Sequence, residues 1–278
     1  MTDDINLDVY FARIGYAGAR EPTLETLRAL HFLHPQALAF ENLNPFLGLP
    51  VLLDAASLTR KLLEGGRGGY CYEQNGLLFR VLRQFGFKVS GLSARVLLGR
   101  AGRAVGRSHM LLRIDLNDDI WIADVGFGTQ TLTAPLRLHE NGVQDTPHGA
   151  FRLEAMGPEF NQQSNWSGAW ETHYSFTLDE QILDDYEASN WYRATHPQSP
   201  FVNNLMCARP LGLQRFGLLN DVFTVRNADG SEPKRRILRD PDELMDVLED
   251  SFGLTLPAPR ADLATKLARV FGHEHSLK

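Results

Sequence analysis

Cysteine is scarce in this chain: its 278 residues include only two, Cys71 and Cys207. Two cysteines so far apart do not form the disulfide framework of a small secreted protein, so reduced thiols in a cytoplasmic protein are the expectation. Long apolar runs are missing too, and no membrane-spanning segment or membrane partner is expected. The opening Met1-Thr2-Asp3-Asp4 lacks the basic and apolar regions of a signal peptide, so the Asn165-Trp166-Ser167 sequon carries no consequence. Basic excess is absent, with 28 Lys and Arg against 34 Asp and Glu and a net charge of −6. That balance argues against nucleic acid as a partner. The one local basic cluster, Lys234-Arg235-Arg236, is followed by Asp240, Asp242 and Glu243 and reads as solvated surface. The cysteines and histidines lack the clustered spacing of a structural zinc site, so no metal is expected; His273 and His275 read as tail. What the chain does have is 43% hydrophobic content, enough for substantial cores in two or three domains. No internal repeat or low-complexity segment appears.

Against that background the stretch Arg67-Gly68-Gly69-Tyr70-Cys71-Tyr72-Glu73-Gln74-Asn75 stands out. It places a cysteine just after a glycine pair and at the start of an apolar run. Leu77, Leu78, Val81, Leu82 and Phe85 recur near helical spacing, and Gly86 follows as terminator. A thiol at a helix N-terminus meets unpaired backbone amides and a dipole that favours its anion. The glycines admit unusual backbone conformations and let a substrate approach closely. An isolated free cysteine is usually a small buried hydrophobe; this setting points instead to a nucleophile.

Upstream, Thr23-Leu24-Glu25-Thr26 opens a helix carrying Leu24, Leu27, Leu30 and Leu33, which Pro35 should interrupt. Ser57 is the expected cap of a second helix with Leu58, Leu62 and Leu63, closed by Gly65-Gly66. Downstream the pattern changes to short segments rich in branched residues: Lys88 to Leu98, His109 to Leu116, Asp119 to Val125 and Gly149 to Met156. Ala169 to Leu178 alternates most clearly, through Trp170, Thr172, Tyr174, Phe176 and Leu178. Helical character returns from Asp179 to His196. Val222 to Val225 and Arg236 to Leu238 read as strands around a turn at Asn227 to Gly230, and Pro241 to Phe252 and Ala261 to Phe271 as helices.

A nucleophilic thiol needs a base and a group to orient that base. His109 begins one predicted strand and Asp124 ends the next. If these pair as a hairpin through Asn117-Asp118, the two side chains meet at one end of it. Taken singly, such a histidine and aspartate are ordinary surface and turn residues; jointly with Cys71 they form a candidate triad. The intervening loop, Gly99 to Arg107, is rich in glycine and arginine but lacks the spacing of a phosphate-binding loop.

Together these pieces resemble the arylamine N-acetyltransferases. The match runs through Phe40-Glu41-Asn42-Leu43-Asn44, Arg67-Gly68-Gly69-Tyr70-Cys71, Ser108-His109, Asp124-Val125-Gly126-Phe127-Gly128 and Ser199-Pro200-Phe201. The resemblance implies an α+β, multidomain, cysteine-protease-like fold: a helical bundle over residues 1–87, a β-barrel domain with an interdomain helix over 88–196, and an α/β lid over 197–278. It implies the triad Cys71, His109 and Asp124. It also implies a ping-pong transfer from acetyl-coenzyme A to an aromatic amine, hydrazine or arylhydroxylamine, with no tightly bound cofactor. By the same resemblance Tyr70, Tyr72, Val96, Leu98, Phe127 and Phe201 line the acceptor pocket, Ser108 and Gly128 lie near the coenzyme A path, and Arg67 with Glu41 forms a bracing ion pair. Thr129 departs from the family, where a second glycine is common. The alternative is a transglutaminase-like or other thiol acyl hydrolase with the same residues. A papain-type protease fits less well, because its histidine lies much further downstream. Nothing in the sequence speaks to oligomeric state.

Overall fold

The computed structural model describes residues 4–99, 105–138, 142–165, 168–228 and 230–271. Asn6 accepts from the amides of Asp8 and Val9 and opens α1 (Leu7–Ile14), a helix of two turns, too short to show periodicity in the sequence. Thr23 caps α2 (Leu24–Ala37), accepting from the Thr26 amide at 3.2 Å. Pro35 does not interrupt α2 as expected. It sits in the last turn, so the helix forgoes one bond to the His31 carbonyl just before it ends, and Leu38 N still donates to the His34 carbonyl. Then come β1 (Phe40–Glu41), α3 (Leu43–Leu47) and α4 (Ala55–Leu58). The cap of α4 is Asp54 and not the expected Ser57, because Asp54 Oδ1 accepts from Ser57 N at 2.9 Å. The chain widens to a π-helical turn over Thr59–Glu64 before the Cys71 helix, α5 (Cys71–Gln84). Gly86, at φ 87°, ends α5 in a Schellman pattern: its amide reaches Arg83 O and that of Phe87 reaches Leu82 O, both at 3.0 Å.

An eight-stranded antiparallel, barrel-like sheet follows, in the order β5-β4-β3-β2-β9-β8-β7-β6. Its strands are β2 (Lys88–Val96), β3 (His109–Leu116), β4 (Asp119–Ala123), β5 (Leu136–Arg137), β6 (Gln144–Thr146), β7 (Gly149–Met156), β8 (Glu159–Asn165) and β9 (Trp170–Phe176). β8 was not expected, since Gln162, Gln163 and Ser164 are polar yet buried, and the strand is held by pairing on both edges. Asn117 and Asp118 both take positive φ, making the tight turn that joins β3 to β4. Helices α6 (Leu183–Thr195) and α7 (Pro200–Asn203) lead to β10 (Met206–Leu211), β11 (Gln214–Leu219), β12 (Val222–Asn227) and β13 (Lys234–Ile237). These join β1 in a second sheet ordered β1-β10-β11-β12-β13, flanked by α8 (Pro241–Asp246) and α9 (Arg260–Leu267). The α+β architecture is thus present, with residues 40–41 serving as an edge of the carboxy-terminal sheet. One apolar cluster joins α1, α2 and α5 to the outer face of β3 and β4, a second fills the barrel-like sheet, and a third lies under the carboxy-terminal sheet. No described helix is long and apolar enough to cross a membrane. His273, His275, Trp166, Ser167 and residues 100–104 lie outside the described residues.

Candidate active site

Cys71 is the first residue of α5, so its amide lies outside the helical hydrogen-bond ladder. Gly68 and Gly69 bring it there for a reason other than the expected one. Neither takes a positive φ; both are in close contact with their own chain. A Cβ on Gly68 would lie 1.8 Å from the Ala39 carbonyl oxygen, and one on Gly69 2.6 Å from Glu73 Oε2. Glu73 Oε2 accepts from Tyr70 N at 3.0 Å and caps the helix. Behind the loop, Arg67 and Glu41 form the expected buried ion pair, at 2.7 Å, with Lys61 bridging Glu41 and Glu73 at 3.6 and 2.6 Å.

His109 and Asp124 come together on the β3–β4 hairpin. Leu112 pairs with Ala123, and the same register continued places Asp124 diagonal to His109 on one face. His109 Nε2 and Asp124 Oδ2 lie 2.7 Å apart, and the imidazole lines the same cavity as Cys71. All three side chains are buried. Burial opposes protonation of His109, but the Asp124 carboxylate and Cys71 outweigh it and push its pKa up to about 10. Burial likewise opposes ionisation of Asp124, and the His109 charge, the Asn75 amide and the Gly126 N–H hold its carboxyl below the usual range.

Asn75, quoted in the motif but given no role from sequence, ties helix to hairpin. Its Nδ2 donates to Asp124 Oδ1 at 2.9 Å and Met110 O at 2.7 Å, and its Oδ1 accepts from Val125 N at 3.0 Å. His31 was also missed: its Nε2 accepts the Asp124 amide at 3.1 Å, and burial pushes its pKa down to about 4, keeping it neutral. A single histidine on an apolar helix face gives no sequence signal for such a task.

A cavity of about 370 Å³ opens beside Cys71 and His109. Val96, Leu98, Phe127, Phe201, Ser108 and Gly128, all named from sequence, line it. Tyr70 and Tyr72 do not line it, a correction to the expectation. The Tyr70 hydroxyl donates to Asn190 Oδ1 within the core, and that of Tyr72 meets Ser189 Oγ at 2.6 Å, so both face α6. Tyr70 reaches the cavity only by backing Phe201, with ring centres 5.3 Å apart. Sequence reasoning missed Phe40, Arg193, Met206 and Cys207 in the wall, since they come from β1, α6 and β10, brought in by long-range pairing. Burial and the nearby Glu41 carboxylate push the Cys207 thiol up, which disfavours its thiolate. A larger depression, of about 690 Å³ around Arg28, Trp121 and Arg137, lies away from these groups.

A helix-borne cysteine with a histidine and buried aspartate on paired strands is the arrangement of the thiol acyl-transfer class of enzymes. An N-acetyltransferase family model matches residues 23–261. An Escherichia coli arylamine N-acetyltransferase is 43% identical over 89% of this chain and 88% of its own length. The solved M. tuberculosis arylamine N-acetyltransferase has a TM-score of 0.90 and 36% identity, over 95% of this chain and 100% of that one. The Mycobacterium marinum arylamine N-acetyltransferase in complex with CoA gives a TM-score of 0.91 at 35% identity, over 95% and 99% of the two chains. The chain belongs to the arylamine N-acetyltransferase family.

Proposed function

We propose that this protein transfers the acetyl group of acetyl-coenzyme A to the nitrogen of an aromatic amine, hydrazine or arylhydroxylamine through an acetyl-Cys71 intermediate. The observation that carries this reading is the junction of Cys71 with a histidine held by a buried carboxylate, on the floor of a largely apolar cavity. A His109 pKa near 10 favours an imidazolium at neutral pH, the natural partner of a Cys71 thiolate. The thiolate attacks the thioester carbonyl, helped by the helix dipole and the Cys71 amide as the oxyanion develops. The carbon–sulfur bond to coenzyme A then breaks, and the departing thiolate takes a proton from His109. In the second half, the amine nitrogen attacks the acetyl-cysteine, His109 takes the nitrogen's proton, and the Cys71 thiolate leaves. Asp124 fixes the ring and offsets its charge in both halves. The CoA complex of the M. marinum relative supports the choice of donor. The apolar walls at Phe127 and Phe201 suit a flat ring.

Intact-mass spectrometry after mixing with acetyl-coenzyme A alone is expected to show one acetyl adduct on Cys71, stable until an arylamine is added. Cys71→Ala should abolish it and Cys207→Ala should leave it. No adduct on folded, reduced protein overturns the reading, and an adduct that decays equally fast without amine favours a thiol hydrolase.

A further inference from the structure

Among the described residues, the cavity wall carries one arginine and no lysine. Arg193, near the end of α6, lines the chamber with Cys71 and His109, while no Asp or Glu is among the described lining residues. Asp124 stands behind His109 and is fully buried. The Arg193 guanidinium has no hydrogen bond or ion pair to the described residues, and its Nε is buried without an acceptor. Its neighbour is the Tyr192 ring, whose centre lies 5.6 Å from the guanidinium carbon. A shielded guanidinium N–H without an acceptor is costly, and its planar fork of donors matches the paired oxygens of a carboxylate or a phosphate.

The anion that meets Arg193 must fit beside the reacting sulfur. When the thioester of acetyl-coenzyme A reaches Cys71, its pantetheine arm carries the phosphates out of a chamber of about 370 Å³. The acceptor, by contrast, has to sit within it. We propose that Arg193 is a specificity-determining residue that selects acceptors bearing a carboxylate on the aromatic ring, so that aminobenzoate-type arylamines are preferred to neutral anilines of the same shape. The inference rests on Cys71 being the acetyl carrier. Unlike the apolar wall, which accepts any flat ring, this group discriminates by charge.

The test isolates the second half-reaction. Wild type, Arg193→Gln and Arg193→Lys are acetylated with acetyl-coenzyme A, freed of coenzyme A, and mixed with 4-aminobenzoate, 3-aminobenzoate or 4-aminobenzamide. Comparing each amine across variants cancels its intrinsic nucleophilicity. Arg193→Gln is expected to slow deacetylation by at least one aminobenzoate about tenfold or more, the scale of a charge-assisted hydrogen bond. It should slow the amide less than about twofold, slow acetylation far less than the aminobenzoate step, and be partly rescued by lysine. Equal losses for benzoate and amide would mean a structural role, and a loss confined to acetylation would place Arg193 at the coenzyme end; either overturns the proposal. If wild type forms no acetyl-Cys71, the carrier reading itself fails.

Discussion

Asn75 lies one turn beyond Cys71 on α5, and its amide spends both ends on the β3–β4 hairpin. Asn75→Ala removes a donor from Asp124 and leaves the buried Val125 N–H without its acceptor. A loss of about 2–3 kcal/mol follows for such an orphaned group, read as a lower urea midpoint. The acetylation rate of Cys71 should fall with it, because Asp124 loses the support that orients His109. Asn75→Asp should hurt activity further at neutral pH, since a second carboxylate then faces Asp124. Cys71, His109 and Asp124 were legible in the sequence because each sits at a helix or strand end marked by local signals. Asn75 and His31 were not, because a single polar residue on a helix leaves no periodic trace. The wrong placement of Tyr70 and Tyr72 has a related cause: adjacency to Cys71 in sequence does not tell which way a side chain leaves the helix.

Between elements, the Asp124 to Gly128 segment packs tightly against the start of α5. A Cβ on Gly126 would lie 2.8 Å from Cys71 Cα and 3.0 Å from Asn75 Nδ2. Gly126→Ala therefore forces the segment away from the helix, at a cost of about 1–3 kcal/mol. Most of the Cys71 alkylation rate at neutral pH should go with it, because the displaced loop carries Asp124; thermal melting and iodoacetamide labelling measure the two effects. A variant that keeps wild-type labelling would show that the thiol is activated without the hairpin. Strand alternation and the Asn117-Asp118 turn made this hairpin predictable. β8, β10 and β11 escaped notice because polar inward residues, Pro210 and Gly217 mask the two-residue period. Pairing partners far along the chain, not local propensity, hold those strands in place.

The whole molecule encloses histidines of opposite character. Burial holds His31, His148 and His173 down at about 4 and His34 at about 3, so the folded chain keeps them neutral. Unfolding returns each to a pKa near 6.5, so the unfolded chain takes up protons that the native one refuses. Stability from these four is complete above about pH 6.5 and falls as the pH drops towards 4, with a limiting slope of about 5 kcal/mol per pH unit. His109 works at the other end: its contribution is complete below about 6.5 and drains away as the pH rises through 10. Urea midpoints should therefore fall steeply between pH 6.5 and 4.5, and a flat profile there would contradict the neutral burial of these rings.

At this scale the two-residue strand Phe40–Glu41 has an outsized effect. It is the edge that Cys207 and Ala208 pair with; its Glu41 amide donates to Gly69 O; and its carboxylate holds Arg67. The carboxy-terminal sheet and the loop that presents the thiol thus share one short piece of backbone. Fraying of the distal sheet is therefore expected to disturb the setting of the Cys71 thiol, so that the labelling rate of this thiol reports on whether the far end of the protein is folded.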